Sequence, residues 1–190
     1  MPRLSSLLVV STVVSCLSPA SVEAHSKMTS PQPTFLPLLD EQQQKEPVGR
    51  FNTKLLTPNA AKIPPTRGAD RIAAAMAEDA AASLRAYVYS HVNMTASGAT
   101  KECGVTLPTG AKQSLPDRVE FHWAHAGPCE IWCDNERLFF DSDCKGNRVG
   151  AVRIDANKCD RASFLQAMYV GVHIQDWELY GNVTCMSDEC

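Results

Sequence analysis

Hydrophobic and polar positions change their period several times along the chain. Leu4 to Leu17 is an uncharged, mainly apolar stretch, broken only by Ser and Thr, behind Arg3. Residues 25–68 hold no period and are rich in Pro, Gln, Thr and Lys, which predicts extended or looping chain held down only where something packs on it. Residues 69–90 are dense in Ala, with Ile72, Met76, Leu84 and Tyr87 available for packing, and predict one scaffold helix. His91 sits at its end, where a cation is mildly favoured, and is assigned no role. Beyond Cys103 the period falls to two. Val119, Phe121 and Trp123 alternate with Arg118, Glu120 and His122. Ile131-Trp132, a turn at Asp134-Asn135 and Arg137 to Phe140 predict a hairpin. Val149–Ile154, Phe164–Ile174 and Trp177–Val183 predict further strands, with a helix as the alternative over 160–170. The fold class expected is mainly β: an immunoglobulin-like antiparallel β-sandwich with long loops and one helix near residues 69–90, stapled by disulfides.

The first apolar run changes the picture of where the chain works. Arg3, the run to Leu17 and small residues at Val22 and Ala24 make residues 1–24 a secretory signal cut after Ala24, with a competing cut after Ala20. No later run approaches the ~18 apolar residues of a membrane span. The expected product is residues 25–190, one domain, secreted and extracellular, with no membrane contact and a monomeric state. Seven of the eight cysteines lie beyond the cut, and an oxidising compartment predicts disulfides with one thiol left over. Sequons at Asn93 and Asn182 fit secretion. The 190 residues carry 18 basic and 21 acidic side chains, and this net −3 excludes a strongly basic nucleic-acid binder.

Candidate chemistry rests on five histidines: His25, His91, His122, His125 and His173. A cut after Ala24 makes His25 the first residue, which then offers its α-amine and its imidazole Nδ1 to one metal. The amine pKa, about 7.7–8.0, lets a metal displace the proton near neutral pH. One more imidazole completes a three-nitrogen set suited to Cu(II). His125 is the best second imidazole, because Gly127-Pro128 turns the chain beside it and a disulfide at Cys129 would pin it. His122 competes, but on a strand through both it would face the opposite way. A zinc alternative, His122 and His125 with Cys129 and Cys133, has ligand-like spacing. Secretion argues against it.

Three stretches together carry a resemblance. They are His25-Ser-Lys-Met-Thr-Ser-Pro-Gln-Pro-Thr-Phe35, His125-Ala-Gly-Pro-Cys-Glu-Ile-Trp-Cys-Asp134 and His173-Ile-Gln-Asp-Trp-Glu-Leu-Tyr-Gly-Asn182, with cysteines at 103, 144 and 159 between them. In this order they resemble the lytic polysaccharide monooxygenases, in particular auxiliary-activity family seventeen of water moulds. The likeness spans most of residues 25–185 and is weak over 36–100. It implies a single copper held by His25 and His125 with Tyr180 axial. It further implies His173 as a hydrogen-bond donor to a copper-bound oxygen species, and Trp177 in the core. It also implies an external reductant, hydrogen peroxide or dioxygen as co-substrate, and oxidative cleavage of plant cell-wall polysaccharide, homogalacturonan in pectin.

Two departures stand out. Glu178 replaces the family's usual Gln, placing a proton-exchanging carboxylate among the catalytic candidates His173 and Tyr180. Cys185 comes two residues later than the family's cysteine, and Cys190 has no counterpart, which marks it as the odd thiol. An anionic polymer would need local cations, for which Lys27, Lys54, Lys62 and Arg67 are candidates. The alternative reading is a non-catalytic secreted copper-binding or host-interaction protein on the same scaffold. A glycoside hydrolase is disfavoured, since no motif singles out a carboxylate pair.

Overall fold

The structure, a computed structural model, describes residues 26–187. The expected signal, His25 and Cys190 lie outside the described residues. The strands are β1 (Met28–Ser30), β2 (Gly49–Phe51), β3 (Val92–Met94), β4 (Arg118–Phe121), β5 (Cys129–Cys133), β6 (Glu136–Asp141), β7 (Val152–Arg153), β8 (Phe164–Gly171) and β9 (Glu178–Cys185). They form two antiparallel sheets, β1-β4-β7 and β3-β2-β9-β8-β5-β6. The fold is therefore mainly β and consistent with a β-sandwich.

The larger sheet is covered on both faces. Ile131, Leu165, Ala167, Tyr169 and Tyr180 pack with Met28, Val119 and Phe121 from the smaller sheet and with Trp123 just past β4. Met168, Val170, Leu179 and Trp177 pack with Ile72, Ala75, Leu84, Tyr87 and Val88 from the helices on the other face. This explains why 160–170 was ambiguous in sequence. A strand buried on both sides loses its polar positions, and with them the period of two. Every residue of β9 is buried and β8 is buried from Leu165 on.

Residues 26–68 are more ordered than their composition predicts. β1 and β2 are three residues each, too short to show a period, and they are fixed by partners far along the chain. Met28 N–H donates to Asn182 Oδ1 at 2.7 Å, and Val48 N–H to the Leu179 carbonyl at 2.8 Å. The single helix expected over 69–90 is in fact two, α2 (Gly68–Glu78) and α3 (Leu84–His91), after a short α1 (Pro58–Lys62). The chain breaks at Ala80, whose φ is +50°, and restarts at Ser83, whose Oγ accepts the Ala86 N–H at 3.0 Å. A run of alanines hides such a break, because alanine propensity favours helix throughout.

Disulfides join Cys129 to Cys144 and Cys133 to Cys159. Cys185 is also disulfide-bonded, and none of the other described cysteines is its partner. The free thiol among the described residues is Cys103, which the resemblance had paired. The late register of Cys185 accounts for this. Gly104 bridges to Asn182, and Cys103 shares a hollow with Val183 rather than with a cysteine. Asn182 is 3% exposed and accepts a backbone hydrogen bond, so the folded chain offers it no room for a glycan; Asn93 is exposed. No helix among the described residues is long and apolar enough to cross a membrane.

Candidate metal centre

The end of the larger sheet where β8 finishes and β9 begins gathers the chemistry. His125 lies in the loop that leads into β5. Gly127 makes this loop possible: its φ is +143°, and a Cβ there would stand 1.9 Å from the Val170 carbonyl oxygen. The loop continues the pairing of β8, with Val170 N–H on the Pro128 carbonyl at 3.0 Å and Val172 N–H on the Ala126 carbonyl at 2.9 Å. Gly127 N–H also donates to Asp143 Oδ1 at 2.9 Å, one residue from the Cys129–Cys144 bridge. Tyr169 then locks His125 itself. Its hydroxyl accepts the His125 N–H at 2.8 Å and donates to the His125 carbonyl. The imidazole thus rises from backbone fixed on three sides, as a metal ligand requires.

His173 follows β8 in an exposed turn, and its ring stacks on His125 with centroids 3.4 Å apart. Glu178 opens β9 and is 7% exposed. Its Oε1 meets Arg50 Nη2 at 2.7 Å, a contact set by register, since Arg50 and Glu178 are cross-strand partners. Its Oε2 accepts the Tyr180 hydroxyl at 2.9 Å and stands 3.7 Å from His173 Nε2. Ligand atoms of His125, His173 and Glu178 all lie within 4.8 Å of one another.

Electrostatics follow the packing. Burial lowers the His173 pKa, with the neighbouring His125 and Arg50 acting the same way and Glu178 opposing them. Burial raises the Tyr180 phenol well above its ordinary value, reinforced by the charge of Glu178 and its hydrogen bond. Tyr169 is raised for the same first reason. Both phenols therefore stay protonated at neutral pH.

His25 lies outside the described residues, but the residue after it is firmly placed. Ser26 is 3% exposed, its N–H donates to the Lys45 carbonyl at 3.1 Å, and its Oγ accepts the Ala124 N–H at 3.0 Å. The described chain thus begins beside the residue that precedes His125. Asn182, two residues along β9 from Tyr180, accepts the Met28 N–H and holds the start of the described chain on the same strand.

The structure brings together His125, His173, Glu178 and Tyr180 and leaves His122 apart. β4 ends at Phe121, so no single strand runs through His122 and His125. His122 lines a separate hollow with Trp123, Lys145 and Arg148. The zinc alternative falls, because Cys129 and Cys133 are both in disulfides. Trp177 is core, as expected. Of the cations, Lys54 lines a hollow of about 460 Å³ with Arg71 and His173, and a second of about 320 Å³ with Arg50 and Asp176. Lys27 lies over the Phe35 ring, Arg67 pairs with Asp70, and Lys62 Nζ donates to Asn59 Oδ1. Sequence reasoning missed Arg50 and Tyr169. Arg50 sits in a stretch without period, and Tyr169 reads as an ordinary strand aromatic.

A larger hollow of about 570 Å³ opens at the opposite end of the sheet, lined by Arg85, Tyr89, Cys103 and Gln166. Its polar groups bond to one another and to backbone, with Arg85 Nη1 on the Asp134 carbonyl at 2.6 Å and Gln166 Nε2 on the Tyr89 hydroxyl at 3.1 Å. No protein-family model matches the chain, and neither does any curated protein.

Proposed function

We propose that this chain is a secreted copper-dependent lytic polysaccharide monooxygenase that cleaves plant cell-wall polysaccharide, with the homogalacturonan backbone of pectin as substrate. The observation that carries the reading is the placement of Ser26. It is hydrogen-bonded to Ala124, next to an imidazole at His125 that Tyr169 holds by both ends of its peptide. A chain cut after Ala24 would add the α-amine and imidazole of His25 from that side.

The residues present fit copper. Imidazoles are available, a buried phenol kept protonated lies beside them at Glu178, and no thiolate competes, since Cys129 and Cys144 near the site are joined in a disulfide. His25 and His125 would hold the ion. Bound copper supplies the redox chemistry, with electrons from an external reductant and hydrogen peroxide or dioxygen as co-substrate. His173 presents its imidazole at the exposed end of the sheet, with Nε2 toward Glu178. Glu178 accepts the Tyr180 proton in a hydrogen bond and fixes the phenol's orientation. Lys54 and Arg71, beside His173, give an anionic polymer a local attraction that the net charge of −3 does not.

The test compares the mature chain with a chain carrying one extra residue ahead of His25, both loaded with Cu(II). The expected paramagnetic resonance spectrum of the mature chain is axial, with amine and imidazole nitrogen couplings. The amine coupling disappears in the extended chain. Reductant-dependent release of oxidised oligogalacturonides follows only from the former. Identical spectra from the two chains, or no oxidised product from pectin, would sink the reading.

A further inference from the structure

The described residues contain a complete ligand set of their own. His125, His173 and Glu178 bring two imidazoles and a carboxylate to within 4.8 Å of one another. Ligand atoms bound at about 2.1 Å to one tetrahedral ion stand about 3.4 Å apart, so the cluster closes on a metal when the His173 ring turns off the face of His125, on which it stacks. The backbone of His125 is held by Tyr169, and the carboxylate of Glu178 by Arg50. The group left to move is His173, exposed in the turn between β8 and β9. Glu178 also has the capacity. A carboxylate offers about four lone-pair sites, and its Oε2 carries only the Tyr180 bond on the side facing His173. Its negative charge is what two neutral imidazoles lack when they meet a dication.

From this juxtaposition we propose that His125, His173 and Glu178 form a two-histidine, one-carboxylate site for a divalent transition metal such as zinc, cobalt or ferrous iron, and that this site does not need the chain terminus. The inference shares His125 with the copper reading but otherwise stands apart from it. It holds for a chain cut after Ala20 or not cut at all, where no α-amine is at position 25. His173 is exposed, so the bound ion keeps an open position toward solvent. Glu178 is the decisive residue, because a glutamine there would remove the only anionic ligand.

The experiment titrates Zn²⁺ and Co²⁺ into the chain carrying one extra residue ahead of His25, read by calorimetry and by the visible absorption of cobalt. The expected result is one ion per chain, weakened at least about tenfold by Glu178→Gln and by His173→Gln. The metal-free melting temperatures of both variants should stay close to the parent's. His173→Gln alters an exposed turn, so it remains informative even if Glu178→Gln folds poorly. No saturable binding to the extended chain overturns the proposal, as does binding that both substitutions leave unchanged. The copper reading fails separately, through the Cu(II) spectrum of the mature chain.

Discussion

Two buried carboxylates sit in the same sheet beside an arginine each, and they are used differently. Glu130, in β5, is fully buried. Its Oε1 accepts Leu84 N–H at 2.9 Å and Arg137 Nη1 at 3.1 Å, and its Oε2 accepts Arg85 N–H and Trp132 Nε1, both at 2.9 Å. Four donors fill its four lone-pair sites. Glu178 takes only two, from Arg50 and Tyr180, and turns the rest of its capacity toward His173. Saturation separates the two roles. A carboxylate whose sites are all filled pins structure, here the first turn of α3, while an unsaturated one beside two imidazoles is available to a ligand.

The largest effect should come from Glu130→Gln. The amide NH₂ would face two donors, leaving buried N–H groups of α3 or Trp132 without an acceptor. The expected loss is about 3 kcal/mol or more in denaturant unfolding, with α3 loosened in hydrogen exchange. A loss under about 1 kcal/mol would mean that saturation does not mark a structural role, and the contrast with Glu178 would collapse.

Tyr169→Phe should come next. It removes a hydroxyl that both accepts from and donates to the His125 peptide, at about 1 kcal/mol for each bond. The expected stability loss is about 2 kcal/mol, with weaker metal binding, measured by unfolding and by calorimetry on the same variant. Unchanged metal affinity would show that Gly127 and the Cys129–Cys144 bridge seat the loop without the phenol.

The same contrast shows what a sequence can carry. The β5–β6 hairpin is legible because the turn at Asp134-Asn135 lies between two apolar runs, and Asp134 does take a positive φ. His125 is legible as a ligand from its Gly-Pro-Cys neighbours. Glu130 is visible as a residue but not as a hub, since its backbone donors lie 46 and 45 residues away along the chain, at Leu84 and Arg85. The break between α2 and α3 that exposes those donors is hidden among alanines. Arg50 is invisible for a related reason: a three-residue strand has no period, and its meaning comes from pairing with β9. Local pattern thus reaches the strands and the histidines. It does not reach contacts made across the sheet.

The smallest stability effect, and the most discriminating, belongs to Glu178→Gln. The amide oxygen still accepts from Arg50, and the Tyr180 hydroxyl can turn to accept from the new NH₂, so no buried polar group need be orphaned. Arg50 is 44% exposed along its side chain, so water screens the lost ion pair. The expected destabilisation is under about 1 kcal/mol. The same substitution should weaken Zn²⁺ binding to the extended chain at least about tenfold, because the only anionic ligand is gone. Small stability loss with large metal loss is the signature of an unsaturated, ligand-facing carboxylate, the reverse of that expected for Glu130. A Glu178→Gln variant that loses several kcal/mol would instead place Glu178 with Glu130, as a second structural anchor between β2 and β9.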